Sequence, residues 1–250
     1  MQLLIAPAKK MKRDLDGFAP QGLPRFWKEA ERLKAELTRM TPEQLQTLWK
    51  CSDAIARENV ERLKTMDLSR NLTPALFAYE GIQYQYLAPN VLEREALDYL
   101  QGHLYILSGF YGLLRPMDGV TPYRLEMGAK LAVDGCQDLY AFWGRKLADE
   151  VARESTFVLD LASKEYSRSV LPHLPPELPR ATCVFGEEQD GVVREKGTLC
   201  KMARGRMVRW LAQRQGSGPE DIQSFAELGF RFSPQHSTSE TFVFLRENEH

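Results

Sequence analysis

The chain has 250 residues, 43% hydrophobic and 27% charged, with a formal net charge of −1. This is ordinary globular composition, which excludes disordered and fibrous classes, and the length suits a single α/β core over residues 1–250. A near-zero charge also excludes a global field for nucleic acid, so any such affinity must come from Lys and Arg gathered in one place.

Residues Gln2 to Ala6 are apolar and meet Pro7, which predicts a buried strand ending in the turn Pro7-Ala8-Lys9-Lys10. That run is too short for the roughly 20 residues a membrane span needs, and neither secretion signal nor anchor is expected. From Phe26 to Met40, Phe26, Ala30, Leu33 and Leu37 recur at helical spacing. Thr41-Pro42-Glu43-Gln44 reads as a capping box opening a short helix to about Lys50. Ser52 caps another, with Ile55, Val60 and Leu63 inward and Arg57, Arg62 and Lys64 outward. Residues 26–66 are therefore expected to form a helical insertion with a tight turn.

Two further apolar runs, Leu104 to Leu107 and Phe157 to Leu161, predict strands. The first opens into Ser108-Gly-Phe-Tyr-Gly112 and the second into Ala162-Ser163-Lys164-Glu165-Tyr166. Leu199 to Gln213 reads as a helix with Lys201, Arg204, Arg206 and Arg209 on a basic side, for which a solvated face is the ordinary explanation. Phe230-Arg-Phe232 and Glu240 to Phe244 alternate as a C-terminal hairpin around the loop Ser233 to Ser239. The expected fold is α/β, with a mixed or mostly parallel sheet and flanking helices.

Ligands of open α/β sheets sit outside the carboxyl ends of the strands, where the three polar turns would meet. Lys9, Ser108, Gly109, Gly112, Ser163 and Lys164 supply the cations, hydroxyls and small residues of an anion pocket. The glycines could equally serve only a tight turn. The stiff loop Arg115 to Gly128 offers Arg115, Tyr123, Arg124 and Glu126, either for phosphate and base or as Arg124–Glu126 and Arg115–Asp118 ion pairs. Glu126, Glu165 and Tyr123 are the acid–base candidates, with Asp160, Tyr111 and Tyr166 behind them. Cys51, Cys136, Cys183 and Cys200 lack CxxC spacing and His103, His173, His236 and His250 are scattered. Reduced thiols of a cytoplasmic monomer are expected, with no metal site and no cofactor.

Six stretches together resemble the YaaA-like peroxide stress proteins of bacteria. They are Leu4-Ile-Ala-Pro-Ala-Lys9, Ser108-Gly-Phe-Tyr-Gly-Leu-Leu-Arg-Pro116, Pro122-Tyr-Arg-Leu-Glu-Met-Gly128, Asp138-Leu-Tyr-Ala-Phe-Trp-Gly144, Leu161-Ala-Ser-Lys-Glu-Tyr166 and Lys201-Met-Ala-Arg-Gly205. The resemblance implies a cytosolic protein that limits intracellular iron and its oxidative damage, with a positively charged cleft, a helix-hairpin-helix element and affinity for DNA, duplex or branched. It places Lys9, Arg115, Arg124, Lys164, Lys201 and Arg204 at the cleft and the helix-hairpin-helix at Trp49 to Lys64, where this chain has no glycine. Two functions compete. One is a non-enzymatic DNA binder, favoured by a long open groove; the other is an enzyme on a nucleotide or base using Glu126 or Glu165, favoured by a closed pocket for a small molecule.

Overall fold

The side chains of Gln2–Ile5 are all buried, as expected of a strand paired on both edges and covered on both faces. The computed structural model describes residues 1–246, so His250 lies outside the described residues. In it this strand belongs to an eight-stranded sheet ordered Phe230–Phe232, Thr241–Arg246, Arg180–Gln189, Val158–Asp160, Gln2–Ile5, Leu104–Ser108, Gly112–Leu114, with Val192–Arg194 paired to Arg180–Gln189. The five strands from Thr241–Arg246 to Leu104–Ser108 run parallel. Antiparallel partners close both edges.

Leu104–Ser108 joins one side of Gln2–Ile5 and Val158–Asp160 the other. The strand order therefore reverses at Gln2–Ile5, and the loops leaving its neighbours diverge into a crevice at their carboxyl ends. Helices cover the sheet, and the buried side chains form one connected core. No helix among the described residues is long and apolar enough to cross a membrane.

The predicted strands and the C-terminal hairpin are present, the hairpin with Phe232 opposite Phe244. Sequence reading gave no place to Arg180–Gln189, the longest strand, which carries the hairpin as its parallel neighbour. The insertion forms helices Trp27–Arg39, Pro42–Trp49 and Asp53–Thr65. Thr41 Oγ1 accepts from the Gln44 N–H at 3.3 Å and Gln44 Oε1 accepts from the Thr41 N–H at 2.8 Å, completing the capping box. Ser52 makes no such side-chain bond, and Ile55 is exposed while Ala56 takes the inward position.

The turn between the last two helices is made by Lys50 at φ 45° and ψ 55°, the left-handed conformation that a hairpin glycine would adopt without strain. Lys50→Gly should therefore raise stability, by roughly 0.5–1 kcal/mol after the entropy of the more flexible unfolded chain is deducted. Urea unfolding reads this directly. A loss of stability would show that the Lys50 side chain contributes more than its backbone costs.

Candidate anion-binding cleft

The chain leaves Gln2–Ile5 through Ala6 to Lys10 and leaves the adjacent Val158–Asp160 through Leu161 to Glu165. Between these turns opens a half-enclosed cleft of about 550 Å³, completed by Glu80 to Tyr84, Tyr123 to Glu126 and the helix Gly197–Arg214. Lys9, Lys10, Arg124, Lys201 and Arg204 face it against Glu80, Glu126 and Glu165, an excess of two positive charges. Lys10 Nζ lies 2.9 Å from Glu80. Glu126 is held by Lys9 Nζ at 3.0 Å and Arg124 Nη2 at 3.3 Å. Among the described residues Arg204 pairs only with Glu195, at 3.8 Å, and Lys201 has no ion pair.

Arg124 and Arg204 are mostly buried, with side chains 11% and 15% exposed. Each has its Nε–H buried without an acceptor among the described residues. A buried donor left unpaired costs about 1–3 kcal/mol, and both of these belong to side chains that line the cleft. On the basic side of the Gly197–Arg214 helix, Arg204 enters the cleft wall and Arg206 is paired with Glu227, while Lys201 stays exposed at the cleft.

The loop bearing Arg124 and Glu126 is placed by Gly109. A Cβ there would fall 2.7 Å from the Leu125 carbonyl and 2.9 Å from the Met127 nitrogen, so only glycine lets the loop lie on this turn. Gly112 (φ 73°) faces Trp143 instead. Both glycines thus serve turn and packing, the second of the two readings above.

Tyr123 lines the cleft, and its hydroxyl is hydrogen-bonded to Ser108 Oγ at 2.6 Å and to the Tyr79 hydroxyl at 2.8 Å. Ser108 stands behind the wall, and its Oγ also accepts the Phe110 and Tyr111 N–H groups. Burial pushes the Tyr123 phenol up to about 12 and raises Tyr166 as well, so both remain neutral in neutral solution and can donate or stack. Ser163 lines the cleft, whereas Lys164 is exposed outside it. Glu165 Oε1 accepts the Gly128 N–H at 2.8 Å. Asp160 is buried, which raises its carboxyl, and it is engaged by Ala162 N–H, Ser167 and Thr182.

Arg115 is the residue that structure removes from the cleft. Leu104–Ser108 and Gly112–Leu114 form an antiparallel hairpin, so the chain has returned to the amino end of the sheet when it reaches Arg115. There the guanidinium donates to Gln2 Oε1 at 3.0 Å and to the Tyr105 hydroxyl at 2.8 Å, lies over the Tyr105 ring and pairs with Glu154. Beside it, Asp118 Oδ2 accepts the Arg115 backbone N–H at 2.8 Å, in place of the predicted ion pair.

Burial pushes the Asp118 carboxyl up from 3.8 to about 6, ahead of the opposing effect of Arg115. Because the folded state binds this proton more tightly than the unfolded one, its contribution to stability is full below about 3.8 and is lost as pH rises through about 6. Thermal melts from pH 4 to 7 should show this fall in the wild type and a flatter profile in Asp118→Asn. Identical profiles would contradict the assignment.

Sequence reading missed Gln83 and Tyr84, both in the wall; their only signal was an amide and aromatics in Gly81-Ile-Gln-Tyr-Gln-Tyr86. Across Glu126 and Glu165 lies a second cavity of about 260 Å³, lined by Trp49 and Lys50 from the helix-pair turn. Among the described residues no three His, Cys, Asp or Glu side chains gather as a metal site, and the four cysteines are free.

Fold and cleft together define an α/β protein with a basic, half-enclosed crevice at the carboxyl edge of its parallel strands. The chain belongs to the family described as peroxide stress protein YaaA, whose model matches residues 1–236. It is 47% identical over 246 residues to a UPF0246 protein of Desulfitobacterium hafniense, covering 98% of each chain. It is 44% identical to UPF0246 proteins of Lachnoclostridium phytofermentans, over 98% of this chain and 96% of the relative, and of Pediococcus pentosaceus, over 100% of both.

Proposed function

We propose that this peroxide stress protein binds DNA, duplex or branched, through the basic cleft and the adjoining helix-pair turn, and so helps limit iron-driven oxidative damage. The observation that carries the reading is the pair of buried guanidinium groups, Arg124 and Arg204, in a wall with excess positive charge. Guanidinium forks suit phosphate oxygens, and Tyr84, Tyr123 and Tyr166 offer aromatic surface to an unpaired base. Lys and Arg that neutralise phosphates release the condensed cations around them. Ferrous iron held among those cations would then react with peroxide away from the strand.

The half-enclosed shape, with Glu126 and Glu165 in its wall, favours a second reading, an enzyme acting on a nucleotide or base. Fluorescence anisotropy of labelled duplex, single-stranded and branched DNA across a salt series separates the two. Binding that falls steeply with salt and weakens about tenfold or more in Lys201→Ala/Arg204→Ala supports the DNA reading. No binding at low salt would refute it and direct attention to nucleotide turnover, with Glu126→Gln as the control.

A further inference from the structure

The cleft wall holds a third unpaired donor. Gln83 is 8% exposed, and its Nε2 is buried without an acceptor among the described residues. It sits beside Arg204, because the Gln83 backbone packs on Gly205 so closely that a Cβ on that glycine would lie 2.1 Å from the Gln83 carbonyl oxygen. The buried groups left without a partner in this wall are thus Gln83 Nε2, Arg124 Nε and Arg204 Nε, all N–H donors. A ligand matching this wall offers several acceptor oxygens, toward which these side chains turn on binding.

The number of acceptor oxygens, with the charge, narrows the class. Glu80 is held by Lys10, Glu126 by Lys9 and Arg124, and Glu165 by the Gly128 N–H. With Glu195 on Arg204 at 3.8 Å counted as well, one positive charge is left to the ligand. An internal phosphodiester carries one negative charge and two free oxygens. A terminal phosphomonoester carries roughly −1.5 to −2 at neutral pH and three strong acceptor oxygens. Shape points the same way, since a half-enclosed cleft of about 550 Å³ admits a chain end more readily than a strand passing through.

We propose that the cleft recognises a phosphomonoester, with Gln83, Arg124 and Arg204 as its buried donors and Lys201 as its free cation. The proposal rests on reading the cleft as a phosphate site. The group can belong to a DNA strand end or to a free nucleotide. Strand breaks produced by oxidation of the sugar carry phosphate ends, which would connect this chemistry to peroxide stress.

The test compares an internally labelled single strand with a terminal phosphate, the same strand with hydroxyl ends, a nucleoside monophosphate and its nucleoside. The phosphorylated strand should bind at least about tenfold more tightly than the hydroxyl-ended one, and the monophosphate should compete where the nucleoside does not. Gln83→Met and Arg204→Lys should each reduce the ratio between the two strands, a quantity that a general folding defect does not change. Equal affinity for the two strands would overturn the proposal and leave the DNA reading intact. Binding of the monophosphate without either strand would uphold the proposal and end the DNA reading. Binding of no probe would end both.

Discussion

Gly205→Ala should destabilise the protein by about 3 kcal/mol or more, although alanine is favoured over glycine by about 1 kcal/mol in a helix interior. Gly205 lies inside the helix Gly197–Arg214, which packs against the helix Ile82–Leu87. A Cβ there would lie 2.1 Å from the Gln83 carbonyl oxygen and 3.0 Å from the Leu87 nitrogen. Both obstacles are backbone, so no rotamer change can relieve them and the two helices must separate. Since Gln83 and Arg204 flank this contact, any folded fraction should also lose anion affinity. Urea unfolding checks the first effect, and an unchanged or higher midpoint would show that the helices are not locked together here.

The second large effect is expected at Arg124. Its alanine variant removes an unpaired Nε–H, leaves Glu126 to Lys9 alone and halves the excess charge of the cleft. Affinity for DNA should fall roughly ten- to a hundredfold, with a shallower salt dependence. Arg124→Lys should recover only part of this, because an ammonium restores charge without the planar fork. Anisotropy at several salt concentrations reads both effects, and unchanged affinity in Arg124→Ala would remove this residue from the site.

Much of the frame was legible because its signals are local. Thr41 and Gln44 are three residues apart and identify a helix start through the reciprocal bonds they make. Gln2–Ile5 and Leu104–Ser108 read as strands because parallel strands buried on both faces are almost continuously apolar. Arg180–Gln189 escaped although Ala181, Cys183 and Phe185 alternate with half-exposed residues as in a half-buried strand, because the small Ala181 and the polar end Glu187-Glu188-Gln189 dilute that signal.

The cleft was only partly legible, because it depends on where turns bring side chains. Lys9, Arg124, Ser163, Lys201 and Arg204 converge as the strand-end argument expects. Arg115 does not, since a hairpin between Ser108 and Arg115 reverses the chain, and motif continuity carries no information about that reversal. Ser108 and Lys164 stand one layer behind and one position outside the wall. Gln83 could not be found from sequence, because what distinguishes it is an amide buried beside Gly205 without a partner. The conformation of the helix-pair turn was not legible either, since Lys50 takes the left-handed conformation usually left to glycine.

The most direct test of the cleft as the phosphate-binding surface is to follow the arginine side-chain Nε–H resonances by NMR while DNA is added. Those of Arg124 and Arg204 should shift together and saturate with the binding curve, whereas that of Arg115, at the other end of the sheet, should stay in place. Saturated binding that leaves Arg124 and Arg204 unmoved would contradict the account.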